Sequence, residues 1–391
     1  MKAYFYLALK AICLFLLLFA SPVLQAQTLL NPKSQPQFVN ELPVPPVIDA
    51  TNLSAPLTMS VRSFRQWLGV VDPVTKKQLT TQMFGYEGRF PGPTIVAQKN
   101  KPVEVFWKNE LVDAQGMPIP HFLPVDATLD WALKAFPTWW TLGVPTVTHL
   151  HGGHTEDVSD GAPQAWTTPR FAQKGSMFVK GDVLPYHYDN DQDAATLWYH
   201  DHAMGITRLN VYAGMAGLYC LTDANEASLR QKNILPAAPY EIPLAIQDRM
   251  FTAAGELFYP YAPPAGTSAP SPSALPEFFG DCVMVNGMLW PVLTVEPRQY
   301  RFRTLNASDA RFYNITLSTG SSMTQIGSDD GFLPNPVTFK QMLIAPGERK
   351  DIIIDFSDPT LWGKTIIMNN NAKAPYPAGT AADPATTGRI M

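Results

Sequence analysis

Alternating apolar and polar residues recur along this chain, and they predict β-strands. Residues 57–67 read Leu-Thr-Met-Ser-Val-Arg-Ser-Phe-Arg-Gln-Trp, and residues 102–109 read Pro-Val-Glu-Val-Phe-Trp-Lys-Asn. Successive side chains of a strand point to opposite faces, so each run can bury one face in a core. A polar and then proline-rich stretch at 224–240 separates two groups of such runs. The predicted strands are 57–67, 76–86, 94–98, 102–109, 147–151, 176–188, 195–202 and 215–222 before it, and 242–247, 283–286, 292–296, 299–305, 311–317, 342–345 and 351–356 after it.

Two stretches of similar pattern, 93–109 and 291–306, indicate that one fold occurs twice. Each begins with proline, continues through a strand, a turn and an alternating strand, and ends in asparagine. The chain also has 37 prolines and 25 glycines, which favour short strands joined by many turns. A length of 391 residues with 46% hydrophobic residues suits two or three domains. We therefore predict an all-β protein built from two β-sandwich domains.

Charge and targeting signals limit the class of protein further. The net charge of −4, with no basic run, argues against nucleic-acid binding. Residues 1–26 read as a secretory signal, in which an apolar run at 11–20 follows two lysines and cleavage is expected after Ala26. Leu24 is unfavourable at a cleavage site and leaves an uncleaved anchor as the alternative. We expect a periplasmic or extracellular protein with no membrane span after signal cleavage.

Four of the seven histidines form two His-x-His pairs, His149 with His151 and His200 with His202. Residues i and i+2 of a strand share a face, so each pair directs two imidazoles into one space. Imidazole binds copper, zinc, iron and nickel. One such pair is often only the polar face of a strand, but two pairs followed by glycine favour a metal site. Four imidazoles also suit a tetrahedral zinc site.

Several motifs surround these pairs. They are His-Leu-His-Gly-Gly at 149–153, Ser-Asp-Gly at 159–161, Leu-Trp-Tyr-His-Asp-His-Ala-Met at 197–204, Pro-Gly-Pro-Thr-Ile at 91–95, Val-Asn-Gly at 285–287 and Ala-Pro-Gly-Glu-Arg at 345–349. Together they resemble the multicopper oxidase family, laccase type, in the branch of spore-coat laccases and bilirubin oxidases. The resemblance runs from about residue 43 to the end. It implies cupredoxin-like (plastocyanin-like) Greek-key sandwiches, with the first two of the family's three domains present and the third absent.

The resemblance also implies a role for each site residue. His149 matches a ligand of the single type 2 copper, and His151, His200 and His202 match ligands of the paired type 3 coppers. In the family, these coppers reduce dioxygen to water. Asp160 matches an acidic residue that assists proton delivery, which suits a carboxylate beside metals. The alternative is that Asp160 serves only as a turn residue in Ser-Asp-Gly.

The histidines end early in the chain. None follows His202, and neither Cys220 nor Cys282 has a histidine neighbour. A type 1 copper site needs a cysteine thiolate with histidines, and the family's third domain supplies that site together with further cluster ligands. We therefore expect half of the trinuclear copper ligands and no type 1 site. We expect the chain to lack oxidase activity alone, unless missing sequence or another chain supplies a third cupredoxin domain.

These expectations define a domain plan. It comprises a signal peptide at 1–26, an extended arm over the first domain at 27–55, cupredoxin domain 1 with half of the copper site at 56–225, a linker at 226–240, cupredoxin domain 2 without copper ligands at 241–378 and a truncated linker at 379–391. We expect Trp198 and Tyr199 to pack beside the ligands. We expect His154 at the surface, and His121 and His187 without partners.

The predicted function is a laccase-like oxidase that couples one-electron oxidation of a phenolic, bilirubin-like or metal-ion donor to reduction of dioxygen. Two alternatives stay open: an exported protein that sequesters copper, and a metal-free cupredoxin scaffold. The 14 methionines are scattered, so thioether binding of Cu(I) has little support. An oxidising compartment permits a disulfide between Cys220 and Cys282, and two buried thiols are the other possibility.

Overall fold

The computed structural model describes residues 28–129, 143–179, 183–263 and 265–391. Within them, strands dominate and only two α-helices occur, α1 (Thr207–Ala213) and α2 (Ala224–Gln231). The predicted all-β class is therefore confirmed. The predicted signal at 1–26 lies outside the described residues. No helix in the described part of the chain combines the length and apolar character needed to cross a membrane.

The first nine strands form two sheets, which we call the first sandwich. They are β1 (Val47–Asp49), β2 (Leu57–Val71), β3 (Gln78–Tyr86), β4 (Thr94–Gln98), β5 (Val103–Asn109), β6 (Thr148–His151), β7 (Tyr186–Tyr188), β8 (Ala195–Asp201) and β9 (Ala216–Thr222). One sheet has the order β1-β4-β9-β8-β6, and the other has the order β3-β2-β5-β7.

The remaining strands form the second sandwich. They are β10 (Glu241–Phe251), β11 (Leu257–Phe258), β12 (Cys282–Val285), β13 (Met288–Leu289), β14 (Gln299–Asn306), β15 (Tyr313–Leu317), β16 (Met323–Ser328), β17 (Gly331–Phe339), β18 (Gln341–Ile344), β19 (Arg349–Asp355) and β20 (Met368–Asn370). The larger sheet has the order β13-β12-β10-β14-β19-β16-β17, with β11 beside β10, and the smaller has the order β18-β15-β20.

The two predicted repeats occupy matching positions. Strand β5 pairs in parallel with β2, and β14 pairs in parallel with β10. Each repeat ends in a buried asparagine whose amide donates to two backbone carbonyls: Asn109 to Val144 and Thr167, and Asn306 to Arg311 and Ile344. The same side chain therefore braces the end of the same strand in both copies.

Strand β8 is buried along its whole length. It lies between β9 and β6 in its sheet, and the second sandwich covers its outer face. This contact forms a separate apolar cluster across the two sandwiches: Trp198, Ala216, Leu218, Ala245, Leu305 and Ala307. A continuous apolar run such as Ala-Thr-Leu-Trp-Tyr is typical of a strand with both faces covered.

The predicted N-terminal arm follows a different course. It was expected over the first domain, but Leu30 N donates to Phe251 O at 2.9 Å and Leu42 N donates to Val292 O at 2.8 Å, both in the second sandwich. Leu30 and Leu42 are buried. The arm then joins the first sandwich as β1, parallel to β4. It therefore ties the two sandwiches together.

Other local predictions were wrong for identifiable reasons. Residues 292–296 form no strand, and only Val292 is paired there, in an isolated bridge with Glu41 of the N-terminal arm. Among the described residues of the predicted strand at 176–188, only Tyr186–Tyr188 is extended in a sheet. Residues 379–391, predicted as a linker, lie against the second sandwich, where Ile390 is fully buried. The predicted domain boundaries themselves stay predictions.

The predicted linker at 226–240 begins inside helix α2. Asp223 caps this helix, because its carboxylate accepts a hydrogen bond from Glu226 N at 2.7 Å. An aspartate followed three residues later by glutamate is a capping signal that the sequence contains. The helix places the Glu226 side chain in the interior, where it is 1% exposed.

Glu226 is the centre of a buried ion-pair network. Its Oε1 lies 2.7 Å from Arg301 Nη1 and 2.8 Å from Arg303 Nη2. Arg301 also pairs with Asp351 on β19, and Arg303 donates through Nη1 to Thr196 Oγ1 on β8 at 2.9 Å. The network therefore joins α2, the second sandwich and strand β8.

Replacing Glu226 with glutamine is expected to lower the free energy of unfolding by about 3 kcal/mol at pH 7, because two buried guanidinium groups lose their shared carboxylate. Burial raises the pKa of Glu226, but three arginines, Arg303 first, outweigh burial and lower this pKa to about 2. The stabilisation is present above the usual pKa of 4.5 and is lost as the pH falls towards 2. Chemical denaturation should show the wild type and Glu226→Gln converging over that range.

The control is Glu110→Gln, at an exposed ion pair with Arg62 whose side chains are 41% and 50% exposed. Exposed pairs contribute about 0–1 kcal/mol. A loss at Glu226 no larger than the loss at Glu110 would contradict the role of the network.

Candidate metal centre

The pairing of β6 with β8 brings the two histidine pairs together. The strands are antiparallel, with His149 opposite His200 and His151 opposite Trp198. Directly opposite residues point to the same face of a sheet, with Cβ atoms about 5 Å apart. Beyond the end of β8, His202 N donates to Val147 O at 2.8 Å, and this bond continues the pairing of the two chain segments as far as His202. All four imidazoles therefore share one face.

The four rings form a compact cluster. Ligand nitrogens of His149, His151 and His200 all lie within 4.8 Å of one another, and His151 Nδ1 is 3.2 Å from His200 Nε2. The ring centroid of His202 is 5.0 Å from that of His149 and 5.6 Å from that of His200. The structure thus brings together every histidine predicted as a ligand, and their binding of a metal stays a prediction.

Backbone carbonyls set the tautomers of two rings. His149 Nδ1 lies 2.6 Å from Asp160 O, and His200 Nδ1 lies 2.8 Å from Asp201 O. A carbonyl only accepts hydrogen bonds, so both Nδ1 atoms carry the proton and both Nε2 atoms are unprotonated. His202 Nδ1 is buried without a hydrogen-bond partner among the described residues. These features fit a metal ion held by imidazole nitrogen.

Burial favours the neutral form of three of the four rings. It lowers the pKa of His151 to about 4, with a further contribution from the charge of Arg349. It also lowers the pKa of His200 well below its ordinary value, and it lowers the pKa of His202. Neutral imidazole is the form that binds metals, so these three rings are ready to act as ligands at neutral pH.

Trp198 supports two of the rings from the same face. Its ring stacks on His151 with centroids 5.0 Å apart and lies 4.1 Å from the centroid of His200. Tyr199, expected beside the ligands, points to the opposite face. There its hydroxyl donates to Pro93 O at 2.6 Å inside the first sandwich. The prediction was therefore correct for Trp198 and wrong for Tyr199, as strand alternation requires.

Asp160 lies at the edge of the cluster. Its Oδ1 is 3.5 Å from His149 Nδ1 and accepts a hydrogen bond from Thr155 Oγ1 at 2.8 Å. The side chain is 43% exposed. The next residue, Gly161, has φ of +76°, and a Cβ there would collide with Thr148 O. Glycine is therefore needed to bring Asp160 this close to β6.

Asp201 was not predicted as a functional residue, yet it organises the site. It is fully buried and accepts hydrogen bonds from Val147 N at 2.9 Å, Ala203 N at 3.1 Å and Asn210 Nδ2 at 2.7 Å. Burial raises the pKa of Asp201 to about 7, although these hydrogen bonds lower it. The sequence does contain a signal for this role. Asp201 lies between His200 and His202, so strand alternation turns its side chain to the opposite face, into the interior.

The other histidines lie outside the cluster. His154 is exposed, as expected, and its Nδ1 lies 3.2 Å from Asp191 Oδ1. His187 does have a partner, since its Nε2 is 3.0 Å from Asp189 Oδ1. His121 also has one, since its Nδ1 accepts a hydrogen bond from Leu123 N at 3.0 Å. Both were predicted to lack partners, and the sequence gives no sign of these local contacts.

Both described cysteines are free thiols. Cys220 and Cys282 are buried, and no disulfide joins them. Burial raises the pKa of Cys220 to about 11, so this thiol stays protonated. Of the two possibilities open from the sequence, the structure supports two buried thiols.

Comparison with known proteins agrees with this geometry. A family model described as multicopper oxidase matches residues 141–226, which include both histidine pairs. Laccases of Bacillus stratosphericus and Bacillus subtilis are 44% and 43% identical over 358 and 356 residues, covering 91% of this chain. A multicopper oxidase of Arabidopsis thaliana is 42% identical over 299 residues, which cover 76% of this chain and 47% of that relative. The chain spans only 65% and 64% of the two laccases, less than two thirds of their length.

Solved structures show the same fold. A multicopper oxidase from Pediococcus acidilactici superposes with a TM-score of 0.64 at 25% identity, covering 86% of this chain and 59% of that one. The McoA multicopper oxidase of Aquifex aeolicus gives a TM-score of 0.62 at 24% identity, covering 90% and 68%. These likenesses confirm the predicted cupredoxin-like sandwiches.

Asp201→Ala is expected to lower the free energy of unfolding by about 3 kcal/mol, because three buried donors lose their acceptor. Chemical denaturation measures this loss. The matched control is Asp157→Ala, at an exposed aspartate in the neighbouring loop, with an expected change within about 0.5 kcal/mol. Equal stability of the two variants would contradict the organising role of Asp201.

Proposed function

Because this chain belongs to the multicopper oxidase family, we propose that His149, His151, His200 and His202 bind copper in the dioxygen-reducing centre of a laccase-like oxidase. The observation that carries the proposal is the convergence of four imidazoles through one strand pair. Nε2 of His149 and of His200 is unprotonated, because Nδ1 of each ring donates to a backbone carbonyl. Following the family pattern, His149 would bind the type 2 copper and the other three would bind the type 3 pair.

The bound copper would supply the electron transfer by which dioxygen is reduced to water. The chain's own residues orient the ligands and handle protons. Reduction of one dioxygen to two waters consumes four protons, and Asp160 stands between solvent and His149, with its side chain 43% exposed. We propose that Asp160 takes protons from solvent and delivers them to the cluster, with Thr155 holding its carboxylate in place.

The remaining parts of the oxidase are proposals of the same kind. We propose that further cluster ligands and the type 1 copper come from a third cupredoxin domain, in additional sequence or in another chain. The donor would be a phenolic, bilirubin-like or metal-ion reductant. The predicted signal at 1–26 supports a periplasmic or extracellular location.

Metal loading tests the copper proposal. The metal-free chain should bind Cu(II) with nitrogen hyperfine structure in its electron paramagnetic resonance spectrum, and copper should displace zinc, because imidazole sites bind copper more tightly. His200→Gln should lower copper affinity at least about tenfold, because it removes an imidazole ligand. Equilibrium dialysis with metal analysis measures both.

The matched control for that experiment is His154→Gln, which changes an exposed histidine outside the cluster and should leave copper affinity unchanged. A stronger preference for zinc would favour a zinc site. Absence of copper binding in the wild type would favour the metal-free scaffold and refute the proposal. Copper binding without dioxygen consumption, even with a third domain supplied, would favour sequestration.

Asp160→Asn is expected to lower turnover about 100-fold in the oxidase that contains this chain, because it removes a positioned proton donor. The loss should grow with pH, since direct protonation by solvent slows as protons become scarce. Dioxygen consumption across a pH series measures it, with copper content verified as unchanged. Asp157→Asn is the control, and equal turnover of the two variants at every pH would rule out the proton role.

A further inference from the structure

We propose that a loop of the second sandwich positions His151 for metal binding, although it contains no histidine. The loop joins β18 to β19 and reads Ala-Pro-Gly-Glu at 345–348, and Arg349 follows it as the first residue of β19. This inference rests on the proposed copper role of His151. It assigns Gly347 and Arg349 as positioning residues and gives the second sandwich a part in the metal centre.

Gly347 lies against the imidazole of His151. A Cβ built on Gly347 would be 3.4 Å from Cε1 and 3.8 Å from Nε2 of that ring. Trp198 stacks on the same ring, with centroids 5.0 Å apart. The ring therefore has neighbours in both sandwiches, and a side chain at position 347 would press directly on it.

Hydrogen bonds hold the loop in place. Gly347 N donates to Asn306 O at 2.8 Å, and Asn306 N donates to Glu348 O at 3.1 Å. The Glu348 carboxylate accepts a hydrogen bond from Ala345 N at 2.8 Å. Gly347 has φ of +79°, a conformation that favours glycine. The loop therefore cannot move away from His151 without breaking its bonds to the end of β14.

Arg349 fastens this loop to the first sandwich. Its Nε donates to Thr196 O at 2.9 Å, Nη1 donates to Gly347 O at 3.0 Å, and Nη2 donates to Asp329 O at 3.1 Å. Nη1 also pairs with Asp329 Oδ1 at 3.1 Å. The residue is only 3% exposed. A planar guanidinium has donors at fixed angles, so these contacts specify the distance between the loop and β8.

The guanidinium lies where β6 stops pairing with β8. The last pair is His151 opposite Trp198, and Thr196 lies two residues before Trp198 on β8, where β6 has already ended. A Cβ on Gly152 would collide with the Arg349 guanidinium, so the chain turns away at this glycine. Arg349 thus donates to the Thr196 carbonyl of β8, at a position that β6 no longer covers. This position is beside the turn that follows His151.

A metal ligand must be held at a defined angle, and changes in the groups that orient ligands lower metal affinity by about 10- to 100-fold. His151 Nδ1 is 3.2 Å from His200 Nε2. The loop therefore sets the position of one ring relative to a ring on the neighbouring strand.

A measurement on the metal-free protein first tests whether the loop positions His151. Histidine labelled with carbon-13 at Cε1 reports each of the seven histidines by nuclear magnetic resonance, and His151→Gln identifies the His151 signal by its loss. Gly347→Ala and Arg349→Met should shift this signal, because Cε1 is the atom that faces Gly347. The signal of the half-buried His187, whose side chain contacts Asp189 outside the cluster, should stay in place.

Arg249→Met is the matched control. Arg249 is also a buried arginine of the second sandwich, and it donates to Val211 O in the first sandwich at 3.3 Å. Its other contacts are Asp248 O and the rings of Phe90 and Tyr212, away from the histidine cluster. It should leave the His151 signal unchanged. A His151 signal that is unmoved by both loop variants, or moved equally by Arg249→Met, would overturn the proposal.

Copper binding gives the second readout. Arg349→Met should lower copper affinity about tenfold and change the nitrogen hyperfine pattern. Arg349→Lys should keep only part of the wild-type affinity, because lysine lacks the planar guanidinium with its donors at fixed angles. Arg249→Met should change neither the affinity nor the hyperfine pattern. If the wild type binds copper and both methionine variants bind it equally well, the loop has no positioning role. If the wild type binds no copper, the proposed function fails, and the metal-free spectra still decide the role of the loop.

Discussion

The antiparallel pairing of β6 with β8 is the interaction on which the candidate metal centre depends. It sets His149 opposite His200, and a slip of one residue would turn one histidine pair into the interior. Asp201 stabilises this register from the inward face, because its carboxylate accepts hydrogen bonds from Val147, just before β6, and from Asn210 on α1. At the end of β8, two candidate ligands and their internal support therefore alternate along the chain as His200, Asp201 and His202.

The second sandwich has no histidine, but it completes the environment of that strand. Its apolar face covers the outer face of β8 around Trp198, which in turn stacks on His151. Two of its arginines reach one residue of β8: Arg303 donates to the Thr196 hydroxyl and Arg349 donates to the Thr196 carbonyl. The second sandwich thus supports β8, the strand that carries His200, although it has no histidine of its own.

Local patterns predicted most strands and failed where tertiary contacts override them. Strand β17 contains Pro334 and Pro336, which argue against a strand, but it lies at the edge of its sheet, where missing donors are tolerated. Residues 292–296 alternate like a strand, yet only Val292 is paired, and its backbone bonds go to Asn40 and Leu42 of the N-terminal arm. Helix α2 was missed although Asp223 and Glu226 form a capping signal, because its buried face is ionic and gives no apolar periodicity.

The sequence by itself determined the candidate ligand set, because two-residue spacing on a strand places both members of each histidine pair on one face. It also determined the all-β class and the repeat that ends in Asn109 and Asn306. Only the tertiary structure decided what surrounds the ligands. Arg349 meets Thr196 across 153 positions of the chain, and no local period encodes such a contact. Spacing defines which side chains share a face, whereas packing of two sandwiches defines how firmly each is held.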